Sequence, residues 1–181
     1  MRALWILYFK ITGWKINGAL PPIRKYICLV APHTSNWDFI IGVAARSILR
    51  IRHAKYLGKS QLFRKPFGWF FRMIGGIPVY RDQSHDMVEQ VAAIVMNSDD
   101  FILAIAPEGT RRKVNKLKTG FWYISKAANI PAVPVGFDYK KKEVVIGAPL
   151  YATDLEKDMH TLMEFYKGIT GKNPELGISQ E

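Results

Sequence analysis

A histidine and an aspartate five residues apart, His33 and Asp38, lie in the stretch Ala31-Pro32-His33-Thr34-Ser35-Asn36-Trp37-Asp38. Imidazole can take a proton near neutral pH. A carboxylate hydrogen-bonded to one ring nitrogen fixes the tautomer that leaves the other nitrogen as a base. The apolar run at 26–30 before this stretch reads as a buried strand, and the amphipathic pattern after it reads as a helix. His33 therefore falls in a strand-to-helix turn, where ligands of α/β sheets gather. Asp38 falls in the first helical turn and can fold back toward the imidazole. The pair alone also suits a histidine that braces the turn while Asp38 serves the helix N-terminus, so it needs company elsewhere in the chain.

Three further strand ends carry polar groups with one chemical theme. Residues 54–58 read as a short strand leading to Lys59, and Gly75-Gly76-Ile77-Pro78-Val79-Tyr80-Arg81 reads as a turn and strand ending in Arg81. Residues 101–106 are continuously apolar, as suits a strand covered on both faces. Pro107-Glu108-Gly109-Thr110-Arg111 follows at once, then the basic residues Arg112, Lys113, Lys116 and Lys118. If these strands are parallel, their carboxyl ends share one rim. A base, a carboxylate and the cations Lys59, Arg81 and Arg111 would then face one cleft. That arrangement suits base-assisted chemistry on a hydroxyl carried by a phosphate-bearing molecule. The plainer alternatives are a solvated strand-end charge for Arg81 and an ion pair at a turn for Glu108 with Arg111.

Helices are expected over 36–50, 85–97, 119–128 and 154–168, and strands over 132–137 and 143–147. A helical segment opening at Lys59 is interrupted by Pro66 and Gly68, and the aromatic group Phe67, Trp69, Phe70 and Phe71 follows. Residues 1–20 carry Leu4, Trp5, Tyr8 and Ile11 at helical spacing, with Arg2, Lys10 and Lys15 between them. Such a helix can lie in a lipid headgroup layer or pack on the domain, and Pro21-Pro22 would break it. Alternating strands and helices predict an α/β fold: a single domain with a mixed, largely parallel sheet flanked by helices and an N-terminal amphipathic helix. The expected organisation is an interface helix at 1–20, a domain at 21–170 and a loose tail at 171–181.

Composition narrows the function classes. The 181 residues suit one domain, with 49% apolar and 23% charged side chains. Lys plus Arg outnumber Asp plus Glu by 26 to 15, a net charge of +11, which favours anionic partners: nucleic acid, phosphorylated metabolites or acidic lipid. No helix-turn-helix, zinc or RNA-recognition pattern is present, and nucleic-acid binding would leave His33 and Asp38 unexplained. The one cysteine, Cys28, has no metal-ligand spacing around it and reads as a core residue. No metal site is expected. His53, His85 and His160 have no comparable setting. No run of about 18 apolar residues predicts a transmembrane helix, and the apolar stretch at 3–9 is short for a signal peptide.

Four ordered blocks make the chain resemble the glycerolipid acyltransferase family, the glycerol-3-phosphate and 1-acylglycerol-3-phosphate acyltransferases. His33 through Asp38 is similar to the family's H-x4-D block, and residues 75–81 to its second block, ending in a phosphate-binding arginine. Glu108-Gly109-Thr110-Arg111 matches the third, and Val133-Pro134-Val135 resembles the fourth. Lys59, Pro66 and Gly68 match the intervening segment, while Gln61 stands where family members often have Glu. The resemblance implies an O-acyltransferase that moves a fatty acyl chain from an acyl thioester, on coenzyme A or acyl carrier protein, to a lysophospholipid hydroxyl. The expected acceptor is 1-acylglycerol-3-phosphate, and no further cofactor is implied. His33 would act as general base and Asp38 would orient it. Lys59 and Arg81 would hold the acceptor phosphate, and Glu108, Gly109, Thr110 and Arg111 would bind the acceptor. The expected partners are the thioester donor, the lysophospholipid and an anionic membrane surface, with no nucleic acid. The expected place is peripheral, on the cytoplasmic face of a membrane. A hydrolase in which His33 activates water, or transfer to another lipid acceptor, stays open on the residues alone.

Overall fold

The computed structural model describes residues 2–51, 53–79 and 84–178, with the backbone alone at 59, 79 and 84–87. In chain order the helices are α1 (Arg2–Thr12), α2 (Trp37–Ile48), α3 (Gly68–Met73), α4 (Ser84–Met96), α5 (Gly120–Ala128) and α6 (Leu155–Lys167). The strands are β1 (Lys15–Asn17), β2 (Lys25–Val30), β3 (Lys55–Lys59), β4 (Gly76–Val79), β5 (Phe101–Ile105), β6 (Ala132–Asp138) and β7 (Glu143–Ile146).

These strands form one sheet in the order β1-β7-β6-β2-β5-β3-β4. From β6 to β4 all neighbours are parallel; β7 runs antiparallel to β6, and β1 pairs parallel with β7. The fold is therefore α/β with a mixed, mostly parallel sheet and flanking helices, the class read from the alternation of elements. Successive side chains of a strand point to opposite faces. Ile27, Leu29 and Leu103 accordingly pack with Val91, Val95, Phe121, Ile124 and Leu162 of α4, α5 and α6. Tyr26, Cys28, Ile102 and Val133 pack on the other face with Phe9, Ile41, Ala44 and Ala45 of α1 and α2. Cys28 is a core residue whose burial pushes its thiol up to about 12.

The N-terminal segment differs from the single helix expected over 1–20. α1 ends at Thr12, because Gly13 takes a positive φ of 78° that helical residues do not adopt. The chain then gives its next residues to the sheet: the Lys15 amide donates to the Lys142 carbonyl at 3.0 Å, and β1 follows. The break thus comes at Gly13, ahead of Pro21-Pro22. The segment opening at Lys59 is also shorter than a full helix, with a 3-10 turn over Ser60–Phe63 and then α3. From Gly171 the sequence reads as loose; in the structure residues 171–178 lie across the His33 turn. Asn173 donates its side-chain amide to the Thr34 carbonyl at 2.9 Å, and Ile178 bridges to Val114.

Candidate active site

The inner strand β2 ends at Val30, and its neighbours β6 and β5 both run parallel to it. The turns after these three strands meet at one edge of the sheet. His33 lies in the first, Tyr139 follows β6, and residues 106–111 follow β5.

His33 and Asp38 come together as their spacing allows: Nδ1 lies 3.0 Å from Asp38 Oδ2. The same oxygen accepts the Thr34 and Ser35 backbone N–H groups, both at 2.8 Å. Oδ1 accepts the Tyr139 hydroxyl at 2.7 Å. A carboxylate has about four lone-pair positions, two on each oxygen, so three donors on Oδ2 and one on Oδ1 meet most of its accepting capacity. That satisfaction matters because the Asp38 side chain is 1% exposed. Burial alone would push its carboxyl up; the hydrogen bonds from His33, Ser35 and Tyr139 outweigh it and hold the group below the usual carboxylate range.

With Nδ1–H engaged by Asp38, the lone pair of His33 is on Nε2. The ring keeps 24% of its side-chain surface exposed. Nε2 accepts the Nε–H of Arg111, an exposed residue, at 3.3 Å. The guanidinium therefore covers the ring nitrogen that carries the lone pair.

Glu108 faces inward. It is 1% exposed, and its two oxygens accept the His33 backbone N–H at 2.9 and 3.1 Å. The Glu108–Arg111 pairing considered from the sequence is not formed, because the carboxylate lies under the His33 turn while the guanidinium reaches over it. Burial pushes the Glu108 carboxyl up to about 7, against the lowering effects of the His33 amide and imidazole. Gly109 has φ of 65°, a left-handed conformation that glycine adopts without the strain a side chain would bring. Thr110 Oγ1 accepts the Arg112 amide at 3.3 Å.

Lys59 closes β3, which is parallel to β5 and β4, so its backbone reaches the same edge. Its side chain, and Arg81 altogether, lie outside the described residues. Among the described residues no group of three or more His, Cys, Asp and Glu could hold a metal ion.

Tyr139 was not among the residues picked out from the sequence. A signal for it is present: the strand expected at 132–137 ends just before it, and ligands gather at the carboxyl ends of parallel strands. Which strand lies beside β2 was not written in the local pattern. The Tyr139 ring packs edge-on against Trp14, with centroids 5.0 Å apart, and both line a cleft of about 210 Å³ with Tyr8, Trp37, Ile41 and Lys172.

Fold and site together define an α/β protein with an imidazole–carboxylate pair at the carboxyl edge of a mostly parallel sheet. The chain belongs to the acyltransferase family, whose sequence profile matches residues 17–138. It is 26% identical over 163 residues to a 1-acyl-sn-glycerol-3-phosphate acyltransferase of Streptococcus pneumoniae (strain ATCC BAA-255 / R6), covering 80% of this chain and 60% of that one. The chain thus spans about three fifths of the length of that curated relative. Its fold is similar to the crystal structure of the 1-acyl-sn-glycerophosphate (LPA) acyltransferase PlsC from Thermotoga maritima. The TM-score is 0.58 at 18% identity, covering 94% of this chain and 80% of that one.

The raised Glu108 carboxyl links stability to pH. Its ordinary value is 4.5, so between 4.5 and about 7 the folded chain binds a proton that the unfolded chain releases. The stability from this group is complete below pH 4.5 and is lost as pH rises through 7. Glu108→Gln should flatten this slope and gain up to about 3 kcal/mol on the wild type above pH 7. Urea unfolding of both proteins from pH 4.5 to 8 checks it; parallel curves would remove the assignment.

Proposed function

We propose that this chain is an O-acyltransferase that moves a fatty acyl group from an acyl thioester to the hydroxyl of a lysophospholipid, with 1-acylglycerol-3-phosphate as acceptor. The observation that carries this reading is the His33 ring: Nδ1 is tied to a buried carboxylate held by three further donors, and Nε2 is turned toward the surface beside Arg111. Family membership gives the reaction class, and the relatives' names suggest the acceptor.

In this mechanism the acceptor hydroxyl takes the place of Arg111 on His33 Nε2. His33 removes the hydroxyl proton as the oxygen attacks the thioester carbonyl carbon. The C–S bond then breaks, and the departing thiolate recovers the proton from the imidazolium. A thioester is already activated, so no enzyme nucleophile is required. Asp38 stabilises the imidazolium and keeps its ring oriented, and Tyr139 holds the second carboxylate oxygen. Arg81 and Lys59 bind the acceptor phosphate, the first as a planar fork and the second as a point charge. Gly109, Thr110 and Arg111 form the acceptor's wall, and Glu108 acts on it by anchoring the His33 turn. Coenzyme A or acyl carrier protein supplies the acyl group. The net charge of +11 and the N-terminal aromatic helix seat the protein peripherally on an anionic membrane, on its cytoplasmic face. No helix among the described residues is long and apolar enough to cross a membrane.

His33→Ala should lower kcat/KM by about 10²–10⁴-fold in an acyl-transfer assay run with both thioester types and a panel of acceptors. Wild-type transfer by this variant would refute the mechanism, and fatty-acid release independent of acceptor would identify a hydrolase. Tyr139→Phe, which deletes one oxygen, should lower kcat roughly fivefold and leave both KM values unchanged. An effect confined to KM would deny Tyr139 its positioning role. Arg81→Ala should raise KM for phosphorylated acceptors at least tenfold more than KM for the donor, the loss of a charge-assisted bidentate contact. Equal effects on both substrates would argue against it.

A further inference from the structure

The segment joining β3 to β4 leaves a large apolar surface uncovered. Phe67 and Trp69 are 68% and 66% exposed, and Met73, Leu62 and Phe70 are exposed beside them. Its inner side is satisfied: Phe71 packs on Phe39 of α2, and the Arg72 guanidinium lies over the Phe63 ring. The outward aromatics are therefore not needed to hold α3 in place. Soluble proteins seldom show so many large apolar groups together unless something covers them.

Charge decides what covers this surface. Arg64, Lys65 and Arg72 are exposed within the patch, and no acidic residue occurs between Lys59 and Arg81. A second copy would bring the same positive face against it. An anionic, partly apolar interface fits both features, since aromatic rings and basic side chains settle together at headgroup level.

We propose that residues 62–73 form a second lipid-docking surface, working with α1 to hold the protein on an anionic bilayer. This rests on the reading that the acceptor is a membrane lipid. Both helices lie against α2: Arg2 of α1 donates its Nε–H to the Ile48 carbonyl at 3.1 Å, and Phe71 of α3 meets Phe39. α1 exposes Leu4, Ile6, Leu7 and Ile11. The segment begins three residues after Lys59, which closes β3 at the sheet edge that carries His33 and Glu108. Docking there brings the source of an amphipathic acceptor next to the base.

The test is co-sedimentation of the full chain with vesicles of phosphatidylglycerol and phosphatidylcholine, and with phosphatidylcholine alone. A Phe67→Ser/Trp69→Ser/Met73→Ser variant should partition at least tenfold less onto the mixed vesicles. Each basic residue near an anionic surface is worth roughly fivefold, so Arg64→Glu/Lys65→Glu should cost about 25-fold or more there and change little on phosphatidylcholine. Turnover of a short-chain, monomeric acceptor should stay at the wild-type rate in both variants. Wild-type vesicle binding by both variants would overturn the proposal. So would a wild-type dimer that the serine variant dissociates without loss of vesicle binding, which would make the surface a self-contact. Vesicle binding is read without turnover, so a wild type inactive on every acceptor would refute acyl transfer and leave this result standing.

Discussion

The buried carboxylate of Asp38 receives four hydrogen bonds, and each comes from a different residue. An ionised group with so little access to water is stable only when its lone pairs are met. Two donors are backbone amides of the His33 turn, so the carboxylate shapes that turn from within. The third is the imidazole, and the fourth is Tyr139 at the end of β6. One anion thereby ties the start of α2 to two parallel strands and sets the ring plane of His33. The imidazole is steadied from a second direction, because Glu108 accepts the amide of the same residue.

Two carboxylates thus serve one histidine, and their surroundings push them apart. Asp38 meets enough donors to stay below the usual range. Glu108, as deeply buried, accepts only the His33 backbone N–H among the described residues, and burial prevails. Similar groups a short distance apart acquire different protonation behaviour through the number of donors each can reach. Around this pair the strand directions do the rest. Because β6, β2, β5, β3 and β4 run the same way, the turns that follow β6, β2, β5 and β3 open on one edge. The helices that return the chain occupy both faces, which leaves that edge as the place where polar side chains gather.

Much of this was legible in local patterns. The continuous apolar runs of β2 and β5, the helical periods of α2, α4 and α5, and the polar residues directly after each strand located the elements to within a few positions. His33 and Asp38 could be seen as neighbours because a five-residue turn leaves them few other ways to lie. β1 was not legible, since three residues, Lys15–Asn17, carry no period of their own and become a strand only by lying on β7. The stretch from Gly171 was equally mute: its contacts with Thr34 span 139 positions of chain.

The sequence by itself determined the longer helices and strands, which residues the strand ends present, and the chemistry open to an imidazole beside a carboxylate. Those properties depend on side chains near one another in the chain. The tertiary structure alone decided that Glu108 turns inward to the His33 amide, that Arg111 rests on Nε2, and that Tyr139 supplies the fourth donor to Asp38. The reason is physical: a buried polar group must find its partner among whatever the packed strands bring within about 3 Å, and strand order is set by the burial of the whole sheet.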